Sequence, residues 1–434
     1  MTMISTAASG LSATQVVLNT ISNNVANSET DGYSRRTVVL TSQASGGVSA
    51  SSLERQTSFF LQQQTWGSTS EVGYYTSYSD YSSYLEQLMS SDSLDITSSL
   101  SAFYSALESA SSSPDDEALR TAVLTAAQTL ATTFNALSGY LDDIAQDVNS
   151  QIDSTVTQVN DLSAQIADLN QQIVSLQSQG LDTSALEDSR DAAIDSLSEL
   201  VEFDVLAQAD GSYSLTLPQG QTLVSGSNAA TLSWDSSSGL SLTFGKQTTS
   251  ISEEMSGSLG GLFAFVNEVL EPTQSQLDSI AVAVAEALND AQADGYDLDG
   301  DSGAALFSWD SQDPAGTLSV SSGFTTDDLA FAGSSTTGSG DNDNLLAMLE
   351  LSEDQQSDYT ALVTWLGQVS SQASNALSTS TTLQSSLSDS LDSISGVNLD
   401  EEAANLVVYQ NIYSANAKVL SAADELFDTV LNMF

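Results

Sequence analysis

The sequence predicts a mainly α protein with an inserted antiparallel β domain: paired N- and C-terminal helices, a helical rod domain and a β-rich outer domain. Three observations predict it. Apolar side chains recur every seventh residue at both ends of the 434-residue chain. Long helical periodicities fill most of the interior. Between Val201 and Phe244 the apolar period drops to two, the spacing of a half-buried strand.

At the N-terminus Ile4, Leu11, Leu18 and Val25 lie on one row, with Ala7, Thr14 and Ile21 on the adjacent one. At the C-terminus Leu399, Leu406, Tyr413, Leu420, Phe427 and Phe434 repeat the pattern to the last residue. A seven-residue spacing puts each set on a narrow stripe of a helix, the seam that packs against a partner helix. Short isolated helices are marginal in water, so these seams are expected to bury against each other and against neighbouring subunits. The ten ladder residues are the candidate assembly interface.

The first helix should stop in Asn23-Asn24-Val25-Ala26-Asn27, and Asp31-Gly32 reads as a tight turn. Tyr33 to about Leu53 looks extended. The tyrosine-dotted stretch from Trp66 to Tyr84 could present a ligand face, but large amphipathic rings mostly serve packing along a helix. Ser113-Pro114-Asp115-Asp116-Glu117 reads as a helix start, with Ser113 as N-cap and Pro114 at the first helical position. Next, Ile152, Val159, Ile166 and Ile173 fill one heptad position and Leu162, Leu169 and Leu176 the other, predicting a coiled coil that ends at Gln179-Gly180. Residues 201–205, 213–217 and 240–244 read as strands, joined by turns at Asp210-Gly211, Pro218-Gln219-Gly220 and Ser238-Gly239. A helix over 261–294, turns and short strands to about Gly340, and a helix from about Leu345 to Gly396 complete the order. The expected domains are a terminal assembly domain (1–40 and 396–434), a helical rod (41–200, 261–294 and 345–395) and a β-rich outer domain (201–260 and 295–344).

With 7 basic and 57 acidic residues the chain carries a net charge of −50. Nucleic acid is excluded, since backbone binding needs clustered Lys and Arg, and anionic membrane surfaces are disfavoured for the same reason. The acidity predicts a well-solvated surface; a sharper expectation is life in high salt, where screening makes such self-repulsion tolerable. There is no cysteine and no histidine. The opening residues lack the charged and apolar regions of a secretory signal, so composition alone predicts a cytoplasmic protein.

A search for catalysis finds nothing. Gly300-Asp301-Ser302-Gly303 matches a serine nucleophile string, but no histidine exists to serve as its base. Asp297, Asp299 and Asp301 resemble the start of a calcium loop. That pattern fails at Ser302, where glycine is needed, and at Ser308, where a bidentate Glu is needed. No catalytic residue, metal site or cofactor is expected.

Several strings resemble the axial proteins of the bacterial flagellum. Ser9-Gly10-Leu11, Ser22-Asn23-Asn24-Val25-Ala26-Asn27 and Asp31-Gly32-Tyr33-Ser34-Arg35 are similar to the N-terminal signature of rod, hook and hook-associated proteins. Three further segments resemble the hook-associated branch. They are Ser189-Arg190-Asp191 with Leu197-Ser198-Glu199-Leu200-Val201, Gly257 to Leu262 leading into Asp294 to Gly300, and Ser395 to Glu402. Asp31 stands where the family usually has proline, Val266-Asn267 where Arg-Asp is common, and the chain is short for the family, which implies a reduced outer domain.

The resemblance implies a structural subunit, not an enzyme, exported by the flagellar type III apparatus without a cleavable signal and residing outside the cell. It implies an adaptor at the hook–filament junction that polymerises helically, its terminal ladders ordering on assembly. Implied partners are the hook protein, the second junction protein, further copies in a ring and an export chaperone at the C-terminal helix, with no nucleic acid and no membrane insertion. The alternatives are another axial protein, such as hook protein or the second junction protein, a secreted adhesin-like protein, or an enzyme inserted in a flagellar scaffold.

Overall fold

A computed structural model describes residues 2–30, 32–44, 46–336, 338 and 340–433. Asp31 of the expected turn and Phe434 of the C-terminal ladder lie outside the described residues. The fold is mainly α with inserted antiparallel sheets, and the two terminal segments are helices packed on one another. The chain forms two compact units. The first comprises Met1–Tyr74, Thr155–Gly257 and Thr379–Phe434, the second Tyr75–Ser154 and Ser258–Ser378. Three long helices, α2 (Phe59–Met89), α4 (Glu117–Gln177) and α10 (Ser352–Ser395), contribute residues to both.

In the first unit, α1 (Thr2–Ala26) leads to a hairpin of β1 (Arg36–Ser42) and β2 (Val48–Arg55), which accounts for the expected extended stretch. Its register sets Arg36 opposite Arg55. After α4 come α5 (Ser184–Leu200) and two antiparallel sheets. One contains β3 (Asp204–Ala207), β4 (Tyr213–Thr216), β5 (Thr222–Ser225) and β6 (Asn228–Ala229), the other β7 (Thr231–Asp235), β8 (Gly239–Phe244) and β9 (Gln247–Ser250). The strands expected over 213–217 and 240–244 are β4 and β8, while that expected over 201–205 begins only at Asp204, as β3, because Val201 caps α5. Gly211 turns the chain between β3 and β4 at φ +85°, and a Cβ there would meet the Gln177 side chain at 2.1 Å.

The heptad rows expected along α4 turn out to include polar members. Ile152, Val159, Ile166 and Ile173 are buried, but the second buried row includes Ser163 and Asn170, while Leu162 and Leu176 are only half-buried. In the first unit this side of α4 bonds both sheet and helix, since Asn170 also accepts from Arg190 Nη1 of α5 at 3.2 Å. Asn160 donates to Leu232 O at 2.8 Å and accepts from Leu232 N at 2.7 Å. Asn170 donates to Tyr213 O and Gly226 O, each at 2.9 Å, and accepts from Tyr213 N at 3.0 Å. Two amide side chains thus satisfy backbone groups of edge strand β7, of the start of β4 and of the β5–β6 turn, where Leu would leave them unpaired.

In the second unit, α3 (Ile96–Ala110) packs near α9 (Asp343–Glu350). The expected start of α4 at Ser113 is also corrected. Asp116 is the cap, accepting from Ala118 N at 2.8 Å and Leu119 N at 3.2 Å. The preceding loop stays out of the helix because the Pro114 carbonyl is held by Arg120 Nη1 at 2.6 Å. Arg120 is 1% exposed, donates also to Thr326, Asp327 and Leu329 carbonyls, and lies over the Phe331 ring. The expected helix over 261–294 is α6 (Ser258–Phe265) and α7 (Glu271–Asp294), joined by a π-helical turn over Val266–Leu270. Along α2, Tyr74, Tyr75, Tyr78 and Tyr81 are half-buried; Tyr81 packs on Phe265 with ring centroids 5.4 Å apart.

Residues 201–257 fall in the first unit and 295–344 in the second. Ahead of α9, the described residues of this stretch hold α8 (Pro314–Thr317) and the two-residue strands β10 (Phe307–Ser308) and β11 (Ser319–Val320). Polar side chains of α7 and its neighbours grip their backbone. Asn289 donates to Phe307 O at 2.9 Å, Gln292 accepts from Ala330 N at 2.8 Å, and Asn344 donates to Ala330 O and Ala291 O at 2.7 Å. In the acidic loop, Asp297 Oδ1 accepts from Asp299 N at 3.0 Å and Asp301 N at 2.8 Å, forming a turn closed on itself. Among the described residues no group of three acidic, His or Cys side chains is placed to hold a metal ion.

Asn170→Ala strips the Tyr213 and Gly226 carbonyls and the Tyr213 N–H of their partner while leaving them half-buried. Urea unfolding should show a loss of roughly 1–3 kcal/mol.

Candidate assembly surface

The terminal helices meet through small side chains. On α1 the buried row is Ala7, Gly10, Ala13, Thr14, Val17, Thr20, Ile21 and Asn24. On α11 (Leu399–Leu431) only Glu402 and Ala423 are buried. A Cβ on Gly10 would sit 2.9 Å from the Asn416 side chain, so glycine lets α11 approach. Arg35, just beyond the C-terminal end of α1, pairs with Glu402 in the first turn of α11. The two helices therefore run antiparallel. Matching Gly10 to Asn416 residue for residue sets Thr2 opposite residue 424. Ala423 is the last buried residue, and 424–433 are all exposed. The end of α11 overhangs its partner.

Of the ladder residues, Leu11, Leu18, Leu406 and Leu420 are half-buried along the seam. Ile4, Val25, Leu399, Tyr413 and Phe427 are exposed. Val16, Val407, Val408, Ile412, Val419, Leu426, Val430 and Leu431 join them at the surface. The sequence ladder thus marks the outer and flanking faces, and the row beside it makes the intramolecular contact. The heptad period marks Ala7, Thr14 and Ile21 of that row, all buried here, but not Gly10 and Ala13, which carry little hydrophobic weight.

Four of the chain's five arginines converge where α1 ends, the hairpin begins and α5 passes. Asp188 bridges two of them, with Oδ2 at 2.8 Å from Arg36 Nη2 and Oδ1 at 2.8 Å from Arg55 Nε. Arg55 also reaches Asp191 at 2.7 Å, Glu187 at 3.3 Å and Ser34 Oγ at 3.1 Å. Burial works against the Arg55 charge, yet Asp191 and Asp188 more than offset it and hold its pKa above the ordinary arginine value. Arg190 donates to Gly211 O at 2.7 Å and stacks 3.5 Å above the Tyr213 ring; burial pulls its pKa below the usual value. Arg35 extends the cluster to α11, 2.7 Å from Glu402 and 3.1 Å from Glu401, and its backbone N–H donates to Ser395 O at 2.8 Å. The Glu402 side chain is only 2% exposed, so this pair fixes where α11 starts.

Charge is distributed unevenly. Helix α1 has no charged side chain. From Ala403 to Ala423, α11 has one, Lys418. In a chain of net charge −50, these two surfaces are nearly free of it.

Replacing Arg55 by Met would remove the cation shared by Asp191, Asp188 and Glu187, leaving Asp191 largely buried without its closest ion pair and Asp188 with Arg36 alone. Urea denaturation should register a loss of roughly 3–5 kcal/mol, and Arg55→Lys should recover only part of it, because one ammonium cannot span the fork.

Comparison with known proteins agrees with this geometry. Residues 82–307 match the family model of the flagellar hook-associated protein FlgK helical domain. Residues 4–33 match the flagella basal body rod protein and 391–433 the flagellar basal body rod FlgEFG protein C-terminal region, the segments of α1 and α11. Flagellar hook-associated protein 1 of Salmonella typhimurium is 29% identical, with 99% of each chain covered. That of Bacillus subtilis is 28% identical over 99% of this chain and 97% of its own. The flagellar hook junction protein FlgK from Burkholderia pseudomallei superimposes with a TM-score of 0.53 at 30% identity, over 57% of this chain and 47% of that one. With more than half its length matched by the FlgK helical-domain model and its two terminal helices by the rod-protein models, the chain belongs to the FlgK family of flagellar hook-associated proteins.

Proposed function

We propose that this chain is a structural adaptor of the hook–filament junction that assembles through the outward faces of α1 and α11. The observation that carries the reading is the surface of α11. Val407, Val408, Ile412, Val419, Leu426, Phe427, Val430 and Leu431 are 41–60% exposed on one helix. Monomeric proteins rarely display so continuous an apolar strip without a partner to cover it. Its central segment is almost uncharged, so copies carrying −50 each approach there with least repulsion.

The intramolecular seam supports the same reading from the other side. It buries mainly alanine, glycine and threonine, which contribute little transfer free energy. The large side chains face outward, so the terminal pair gains most of its cohesion when neighbours pack against it. Ordering then accompanies assembly, as for segments that fold on binding. A contact between unlike faces repeats without closing a dimer, which suits a ring or tube. The hook protein, the second junction protein and further copies are the partners this role requires, and an export chaperone would shield the overhanging end of α11 before assembly. Export through the flagellar type III route would deliver the chain outside the cell, and nothing in the role calls for catalysis.

In cells lacking this chain, hooks should end bare and filament subunits should be lost to the medium. Phe427→Asp with Leu431→Asp alters residues exposed in the subunit, so the variant should be exported and folded yet absent from isolated flagella. Wild-type incorporation of that variant would defeat the reading.

A further inference from the structure

A subunit of this chain has few cations to offer a neighbour. The arginines are committed within the subunit: Arg35, Arg36, Arg55 and Arg190 to carboxylates, Arg120 to backbone carbonyls. Lys246 and Lys418 are exposed and form no ion pair among the described residues. Lys246 lies between β8 and β9. Lys418 lies in the uncharged centre of α11, and the residues three and four positions away, Ser414, Ala415, Ser421 and Ala422, bear no charge.

The far end of the same helix has the opposite deficit. Asp424, Glu425 and Asp428 are exposed in the overhang, make no ion pair among the described residues, and have no basic residue in the last turn. A helix C-terminus already presents the negative end of its dipole, so Asp428 in the last turn is disfavoured unless a cation answers it, and Asp424 and Glu425 add negative charge one turn earlier. Glu425 lies two turns beyond Lys418 on the same face, about 10 Å along the axis. Each copy therefore carries, on one apolar strip, an unanswered cation and an unanswered acidic end.

Building on the assembly reading above, we propose that Lys418 of one copy binds the acidic end of α11, centred on Glu425 and flanked by Asp424 and Asp428, in a neighbouring copy, and that this pair sets the axial stagger between adjacent α11 helices. Charge complementarity selects a second copy as the occupant. A parallel α11 displaced by about two turns aligns the groups, and the apolar residues around them exclude water, where a charge pair is worth more than in solvent. The contact joins unlike positions, so it propagates from copy to copy without closing.

The test uses the full chain expressed in cells that lack it, counting filament-bearing hooks and measuring the chain exported to the medium. Lys418→Glu should leave export intact and cut filament-bearing hooks roughly tenfold; adding Glu425→Lys to it should restore them toward the unsubstituted level. Normal assembly of Lys418→Glu, or no recovery in the double variant, would overturn the pairing. The chain has no cysteine of its own, so Lys418→Cys with Glu425→Cys gives a second test. Sites two turns apart on one helix lie beyond disulfide reach, and any bond must join two copies. Oxidised flagella should yield linked dimers and higher oligomers. Flagella that assemble without them would refute the pairing and leave the assembly role standing, whereas absence of the unsubstituted chain from flagella would refute the role itself.

Discussion

The proposed assembly rests on one electrostatic constraint: a chain of net charge −50 needs a surface on which copies of itself could pack. Self-repulsion of that size favours separation, and salt weakens it without removing it. The sequence answers by zoning. Charge is absent from α1 and nearly absent from the middle of α11, and the acids are carried by the remaining elements. The pattern that makes these helices poor independent folders, an apolar outer face and a small-residue inner face, makes them fit to be covered by neighbours.

The same scarcity explains how the arginines are used. Asp188 joins Arg36 and Arg55, so the two ends of the β1–β2 hairpin are locked to α5 together. Arg35 carries the lock to the start of α11. The relative position of α1, the hairpin and the first turn of α11 thus depends on a few forked, charge-assisted contacts whose loss leaves carboxylates stranded. An assembly surface needs such a rigid base, because contacts made at the helix faces are useful only if the two helices present them in a fixed relation.

Much of this was legible in the sequence. Heptad ladders located both terminal helices, period-two alternation located three strands, and the terminal and central strings resembled flagellar axial proteins, in agreement with the family models matched along the chain. What was not legible has identifiable physical causes. Hydrophobic patterning picks out large side chains, so it traced Ile4, Leu11, Leu18 and Val25 and passed over the seam at Gly10 and Ala13. It also read α4 as a coiled coil. The seven-residue spacing of Ile152, Val159, Ile166 and Ile173 gives no sign of the sheet backbone that Asn160 and Asn170 hold from the same helix. Asp116 displaced Ser113 as a cap because Arg120 holds the Pro114 carbonyl away from the helix. The arginine cluster joins Arg55 to Asp188 and Arg35 to Glu402 across 133 and 367 positions, a separation at which no local pattern survives.

The most direct measurement of the central claim is hydroxyl-radical footprinting of the exported chain and of intact flagella, read peptide by peptide. Burial of the uncharged zone in the assembly predicts that Val407, Val408, Ile412, Tyr413 and Val419 lose most of their oxidation in flagella, while exposed residues of β9 change little. Equal oxidation of those α11 residues in both states, with protection moving to the sheets, would contradict it.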